Sequence, residues 1–306
     1  MNKSSIIKVL KSPRIALARI VMSGSVSRYL SDETYLQLSY RLKMGKKLDL
    51  EHPKTFTEKL QWLKLHNNSD LCTRVVDKYA VRSFISETIG ANYLIPMLGI
   101  WDGFDEIDFD TLPDQFVLKC THDSGSVIIC KDKARFDYNV ARKKLNAGLK
   151  RNFFLKGREY PYKNVPHRII AEQLMIDQKS EDLADYKFFC FNGVPKILFY
   201  ASDRFNLEQR PAFFDYYDMD LNHLDISSKG HTHNPKLLQR FPQFEEMKAL
   251  ASTLSKGFPH VRVDFYLINE KVYFGELTFH HDGGYVPFQP EKWDRVLGDW
   301  IHLPID

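Results

Sequence analysis

The sequence predicts an α+β fold in which antiparallel strand pairs and helices occupy separate stretches of the chain. Three observations predict it. Val261–Leu267 and Val272–Phe279 are rich in β-branched and aromatic residues and flank a turn-like Ile268-Asn269-Glu270-Lys271, which reads as an antiparallel hairpin. Phe116–Cys120 with Val127–Lys131, and Asp185–Phe191 with a return through Pro195 to Tyr200, read as two more strand pairs. The second of these turns at Asn192-Gly193, a strong hairpin dipeptide. Helical spacing is confined elsewhere, to Asp32–Leu65, Val75–Ile85, Tyr138–Leu149 and Phe244–Leu254.

At 306 residues the chain is long enough for an enzyme of one large domain or two to three packed lobes. Its 43 Lys+Arg against 39 Asp+Glu leave a formal charge of +4. That excess is too mild and dispersed to argue for nucleic acid, and leaves anionic small molecules as ligands. Cys72, Cys120, Cys130 and Cys190 have no metal-binding spacing, which points to a reducing, cytoplasmic compartment. Residues 1–25 carry Lys3, Lys8, Lys11, Arg14 and Arg19 and no acid, interleaved with apolar residues. The apolar runs are too short for a signal peptide or a spanning helix, and a basic amphipathic helix fits them better. Such a helix can lie on the anionic inner face of a membrane or pack on its own protein.

Along the chain, Lys54–Leu65 reads as an ordinary packed helix, and Lys78 and Arg82, four apart, read as one solvated helix face. Tyr93–Trp101 is a strand region. Phe116–Cys120 carries an unexpected Lys119 before the small polar loop Thr121-His122-Asp123-Ser124-Gly125-Ser126, a pattern suited to cradling phosphate. Burying an unpaired ammonium is costly, so Lys119 is expected to have a partner. Arg168–Ile176 reads as a strand with Glu172 in mid-run, and Asp185 and Lys187 share a strand face. Ser202–Pro235 reads as a polar loop region that meets an acceptor. Its His231-Thr232-His233 lacks the further spaced ligands a metal needs.

The final hairpin can be registered by counting. If it is symmetric about Glu270, Asp264 lies opposite Glu276 and Arg262 opposite Thr278, all on one face, with Val261, Val263, Phe265, Leu277 and Phe279 on the other. Two opposed carboxylates repel by roughly 4 kcal/mol at about 4 Å and an effective dielectric near 20, so something cationic belongs between them. Arg262 as a structural ion pair is one solution. Mg²⁺, which takes one or two carboxylates and completes its shell with water and substrate phosphates, is the other.

Taken together, these segments resemble the ATP-grasp superfamily, and more closely its TupA-like (teichuronopeptide-biosynthesis) family. The likeness is carried by Lys54–Trp62, Val76–Arg82, Phe116–Cys120, Asp185–Phe188, Val261–Asp264 and Gly275–Phe279, and runs from about Tyr35 to Phe288. It implies two α+β lobes gripping ATP between antiparallel sheets, after a helical N-terminal region. The corresponding division is a basic segment 1–30, a helical/α–β region 31–115, a small lobe 116–175 and a large lobe 176–306 with the Mg²⁺-binding hairpin.

By matching position, the resemblance puts Lys78 and Lys119 on the phosphates, the loop His122-Asp123-Ser124-Gly125-Ser126 over them, Glu172-Gln173-Leu174 against adenine and Asp185 on the ribose. Lys187 and Arg262 would face the triphosphate as the catalytic cations, and Asp264, Glu276 and Thr278 would hold Mg²⁺. Thr278 stands where many relatives have Asn, and His280-His281-Asp282-Gly283-Gly284 departs from the expected Pro- and small-residue-containing loop. Enzymes of the superfamily activate a carboxylate with ATP and let an amine attack the acyl phosphate. The resemblance therefore implies a ligase joining an amino acid or amine to a hexuronate carboxyl of a bacterial surface polysaccharide, with a saccharide or glycan acceptor and an amine donor as its partners. A sugar kinase, a nucleotide-sugar glycosyltransferase and a membrane-associated scaffold are the rival readings.

Overall fold

The computed structural model describes residues 17, 22, 24–178, 183–203, 212–228 and 231–304. Apart from a few positions, the basic segment 1–25 lies outside them. No described helix is long and apolar enough to cross a membrane. All four cysteines are buried and free, as small hydrophobes in strands and helices are.

Eleven strands among the described residues form three antiparallel sheets. The first takes β1 (Met97–Trp101), β2 (Phe116–Cys120), β3 (Val127–Cys130) and β4 (Ile169–Gln173) in the order β1-β4-β2-β3. Phe116, Leu118 and Cys120 of β2 and Ile169 and Ala171 of β4 point to one side, where Ala141 and Leu145 of helix Tyr138–Leu149 cover them. Alternation turns Lys119 and Glu172 to the other side.

The second sheet takes β5 (Asp185–Phe191), β6 (Val194–Ser202), β7 (Phe213–Tyr217), β9 (His260–Ile268) and β10 (Lys271–Thr278) in the order β10-β9-β5-β6-β7. The stretch expected to be loop, Ser202–Pro235, thus contributes β7 and the short β8 (Ser227–Ser228), which pairs with β11 (Phe288–Gln289). Four aromatics in five residues, Phe213-Phe214-Asp215-Tyr216-Tyr217, were a strand signal masked by polar flanks.

The faces of this sheet explain where a site can exist. Tyr186, Phe188 and Cys190 of β5 join Val261, Val263 and Phe265 of β9 in a core closed by helix Phe244–Leu254. The opposite face of β5 carries Asp185 and Lys187 at one end and Phe189 and Phe191 at the other. The aromatic end is covered by Phe56, Leu60 and Leu63 of helix Phe56–His66 and Leu297 of helix Lys292–Asp299. The charged end is buried as well, with Lys187 held between Asp185 and Asp264.

The two covering helices are fixed before they touch the sheet. Thr55 and Glu58 form a capping box at the start of the first. Asp294 accepts from the Thr57 amide at 2.9 Å and the Thr57 hydroxyl at 2.8 Å, tying the second helix to that same turn. Contact is closest at Gly298, where a Cβ would stand 2.3 Å from the Lys54 carbonyl oxygen and 2.7 Å from the Phe56 amide nitrogen. Neither backbone atom can rotate away. Gly298→Ala is therefore expected to destabilise the chain by about 3 kcal/mol, the upper part of the usual overpacking cost; a denaturant midpoint unchanged from the parent would contradict this packing.

Candidate active site

The hairpin that carries the acidic pair reaches its predicted register by a different route. The strands are joined by a two-residue turn, Asn269-Glu270, with φ of 49° and 64° at its two residues. This turn pairs Lys271 with Ile268 and Phe274 with Phe265, one residue off the register expected near the site. A bulge between Phe274 and Glu276 then restores Glu276 opposite Asp264 and Thr278 opposite Arg262. Gly275 sits in the bulge, where even a Cβ would come within 3.0 Å of the Asp264 carbonyl oxygen. On the next strand Lys187 lies opposite Asp264 and Phe189 opposite Arg262. Lys187, Asp264 and Glu276 thus form one row across β5, β9 and β10.

Arg262 occupies the position between the acids. Its Nε and Nη2 each lie 2.7 Å from an oxygen of Asp264, and Nη2 also reaches Glu276 Oε1 at 2.8 Å and Thr278 Oγ1 at 3.1 Å. Lys187 Nζ bridges Asp264 Oδ2 at 2.6 Å and Asp185 Oδ1 at 2.8 Å. Burial opposes ionisation of Asp264, but Arg262 and Lys187 more than offset it and take the carboxyl down to about 2. For Arg262, burial opposes the charge and the Asp264 carboxylate overcomes that, raising its pKa. His281 packs its ring against Phe189 and presents Nδ1 to Arg262 Nη1 at 2.9 Å. Burial holds this imidazole down at about 4, so it is the neutral acceptor of the guanidinium.

The other wall comes from the first sheet. Lys119 Nζ meets Glu172 Oε2 at 2.6 Å, and Arg82 Nη1 meets Glu172 Oε1 at 3.2 Å. Lys119 has the partner its position demands. This corrects one expectation: Arg82 is half-buried and paired rather than solvated. The Glu172 carboxylate is taken up by the two cations. Gln173 alternates to the far face, where with Leu174, Leu98 and Gln115 it lines an open depression. Lys78 is not on a helix face either, since its helix begins at Val81. It lies in the preceding turn, half-buried, with Nζ 2.5 Å from the Asp123 carbonyl oxygen. Burial lowers its pKa, against the opposing fields of Glu276 and Asp123.

The small polar loop is a built turn. Asp123 and Ser126 are buried, with Ser126 Oγ donating to Asp123 Oδ2 at 2.6 Å and Arg151 Nη1 donating to the same oxygen at 3.0 Å. His122, also buried, stacks on His167 at 3.6 Å and reaches the Gly148 carbonyl at 3.2 Å. Of the five residues expected to close over phosphate, only Ser124 and Gly125 are exposed; the other three are its scaffold. Tyr162, within the fields of Glu159, Glu276, Arg262 and Asp123, stands where loop and hairpin converge; burial raises its pKa well above the ordinary value.

Four groups of this site escaped the sequence reading: Arg151, Glu159, Tyr162 and His281. His281 had a signal, because its turn departs from the family pattern. The others lie in an irregular stretch whose partners are set only by tertiary contact.

Residues 58–302 match the TupA-like ATPgrasp family. The chain belongs to this family. It therefore has the ATP-grasp fold and is an enzyme of the ATP-grasp class. No curated protein matches it. Among solved structures, D-alanine-D-alanine ligase from Helicobacter pylori is 14% identical, with 80% of this chain and 69% of that one covered and a TM-score of 0.40. D-alanine-D-alanine ligase from Bacillus anthracis, solved with ATP, is 13% identical over 69% of this chain and 57% of that one, also at 0.40. N5-carboxyaminoimidazole synthase from Aspergillus clavatus, solved with ADP and its ribonucleotide, is 11% identical over 78% and 54%, at 0.39. Likenesses this distant carry no argument about the site or substrate.

The donors of the hairpin fit Mg²⁺: two carboxylates and a hydroxyl are hard oxygen ligands. The depressed Asp264 pKa yields a stability prediction. Because its folded value lies below the unfolded 3.8, Asp264 contributes stability above about pH 4 that is lost as pH falls toward 2. The destabilisation caused by Asp264→Asn should therefore be about 1 kcal/mol smaller at pH 3 than at pH 6, read from denaturant midpoints. A pH-independent difference would mean that Asp264 is not held ionised by its neighbours.

Proposed function

We propose that the chain is an ATP-dependent carboxylate–amine ligase, acting on a uronic-acid-containing bacterial surface polysaccharide or its precursor and attaching an amino acid or amine. The observation that carries the reading is the pair of charged walls. Lys119, Arg82 and Lys78 rise from the first sheet and its flank, facing Lys187, Arg262, Asp264 and Glu276 on the second. The first wall suits polyphosphate and the second suits its metal. The polysaccharide acceptor rests on family membership, and the cytoplasmic setting at the inner membrane face on composition and the basic segment 1–25.

In this reading residues 116–175 are the small lobe and 176–306 the large one. Lys78, Lys119 and the exposed Ser124-Gly125 backbone hold phosphate oxygens, the backbone of the Glu172-Gln173-Leu174 segment meets the base, and Asp185 takes the ribose. Asp264, Glu276 and Thr278 would hold Mg²⁺, which would supply charge neutralisation at the phosphates. Lys187 and Arg262 face the transferring group, where fixed cations stabilise the charge spread over its equatorial oxygens. An acceptor carboxylate oxygen attacks the γ-phosphorus and ADP leaves. The amine nitrogen then attacks the acyl carbon, phosphate departs, and the amine gives up a proton, leaving an amide. No nucleophilic side chain is needed.

A sugar kinase would use the same nucleotide grip and differ in its product, whereas a glycosyltransferase or a scaffold finds no support in the family. The test has two stages. Magnesium with a non-hydrolysable ATP analogue should raise the thermal midpoint of the parent. ADP release from uronic-acid glycans should then require an amino acid or amine and yield an amide. Lys119→Met should lower turnover about a hundredfold. Absence of nucleotide stabilisation would remove the ATP site, and a phosphorylated sugar in place of an amide would establish the kinase.

A further inference from the structure

Strand β7 carries a second cluster of ligating groups, on the face of the large sheet away from the nucleotide cleft. Phe214 and Tyr216 pack into the helix-covered aromatic face, so Asp215 alternates to the opposite side with Tyr217. Asp215 is fully buried, and among the described residues no lysine or arginine reaches it. Two imidazoles converge on one of its oxygens instead. His223 Nε2 lies 3.0 Å and His233 Nδ1 2.9 Å from Oδ1, while the Asn234 amide occupies Oδ2 at 3.1 Å.

Each histidine is placed by backbone contact with the strand that bears the acid. His223 follows a turn closed around Asp218, whose Oδ1 accepts from the amides of Asp220 and Asn222 at 2.9 and 2.8 Å, and pairs back to Tyr217. His233 follows Thr232, which bridges Phe213 and whose carbonyl accepts from Phe214 N at 2.9 Å. In the sequence His231-Thr232-His233 has no further ligands at metal-binding spacing. The fold supplies them from 10 and 18 residues upstream, and the ligand is His233; His231 faces Phe214 and bonds Ser228.

We propose that Asp215, His223 and His233 bind a divalent transition-metal ion of the Zn²⁺ class, clamping the returning chain to the edge of the sheet. One ligand atom from each residue lies within 4.8 Å of the others. Tetrahedral Zn²⁺ with bonds near 2.0–2.1 Å sets its ligand atoms about 3.3 Å apart, a few tenths of an ångström from the observed N···O edges. Two imidazoles with one carboxylate select Zn²⁺, Co²⁺, Ni²⁺ or Cu²⁺ over Mg²⁺. The histidine side chains are 27% and 44% exposed, so the fourth position opens to water. The ion also supplies the cation that a buried carboxylate requires.

The test uses the full chain, free of added histidines and stripped of metal. Titration with Co²⁺ should saturate at one equivalent with visible tetrahedral absorption, Zn²⁺ should displace it, and excess Mg²⁺ should not. His223→Gln/His233→Gln replaces two part-exposed side chains. It should retain the parent's circular dichroism and weaken Co²⁺ binding by at least about tenfold. Zn²⁺ should raise the thermal midpoint of the parent and leave that of the double variant unmoved. No saturable Co²⁺ binding, or binding equal in parent and double variant, would overturn the proposal and make the trio a hydrogen-bonded cluster only.

Discussion

Arg262 holds two opposed acids together, and the arrangement around it follows from that requirement. A guanidinium buried to this depth needs anions at hydrogen-bond distance, and two acids on facing strand positions need a cation between them. Each solves the other's problem only if the strands are registered so that the planar fork meets Asp264 on one edge and Glu276 beyond it. A one-residue slip would turn every one of these side chains to the apolar face. The bulge at Gly275 sets that register, because the tight Asn269-Glu270 turn alone would leave the pairing one residue out.

The helices that cover the aromatic end of the sheet serve the same constraint. Helix Phe56–His66 caps itself through Thr55 and Glu58, then sends Gln61 and Lys64 to the Gly283 carbonyl at 3.1 and 2.7 Å. That contact fixes the His280–Gly284 turn, and with it the imidazole of His281 against Arg262. Lys64 is buried, and its burial brings the pKa down to about 7. A lysine is tolerated there because Gln61, a carbonyl and the Tyr285 ring all receive it. The Lys54–Trp62 stretch, which carries the family likeness first, is thus structural support for the site.

Periodicity and turn chemistry made much of this legible. β2, β5 and helix Tyr138–Leu149 are bounded where alternation and helical spacing placed them, because each is a local pattern read against one buried face. The opposed acids were legible because an antiparallel pair has a countable register. What escaped depends on contacts far apart in sequence. Nothing near Lys78 shows that its ammonium meets a carbonyl 45 residues later, and nothing near Glu172 reveals that Arg82 will reach it. Such partners are chosen by how two sheets are set against one another. The inner contacts of the loop at 121–126 were hidden for a related reason: composition describes a small polar turn, and only the fold brings Arg151 and Ser126 to the buried Asp123 carboxylate.

The two acids flanking Arg262 are unequal, and the inequality has chemical content. Asp264 is buried and holds the fork by two parallel bonds, while the Glu276 side chain is 51% exposed and receives one bond from an Nη2 shared with Asp264 and Thr278. A solvent-screened pair of that kind contributes about 0–1 kcal/mol, whereas breaking a buried pair costs about 3–5 kcal/mol. Exchange of partners at this site is therefore cheapest at Glu276, with Asp264 left to keep the guanidinium aligned. Lys78 lies within the field of Glu276, and burial works against its charge. An anion binding beside Lys78 would add countercharge to a half-buried ammonium, and a cation arriving with it would give Glu276 a partner other than Arg262.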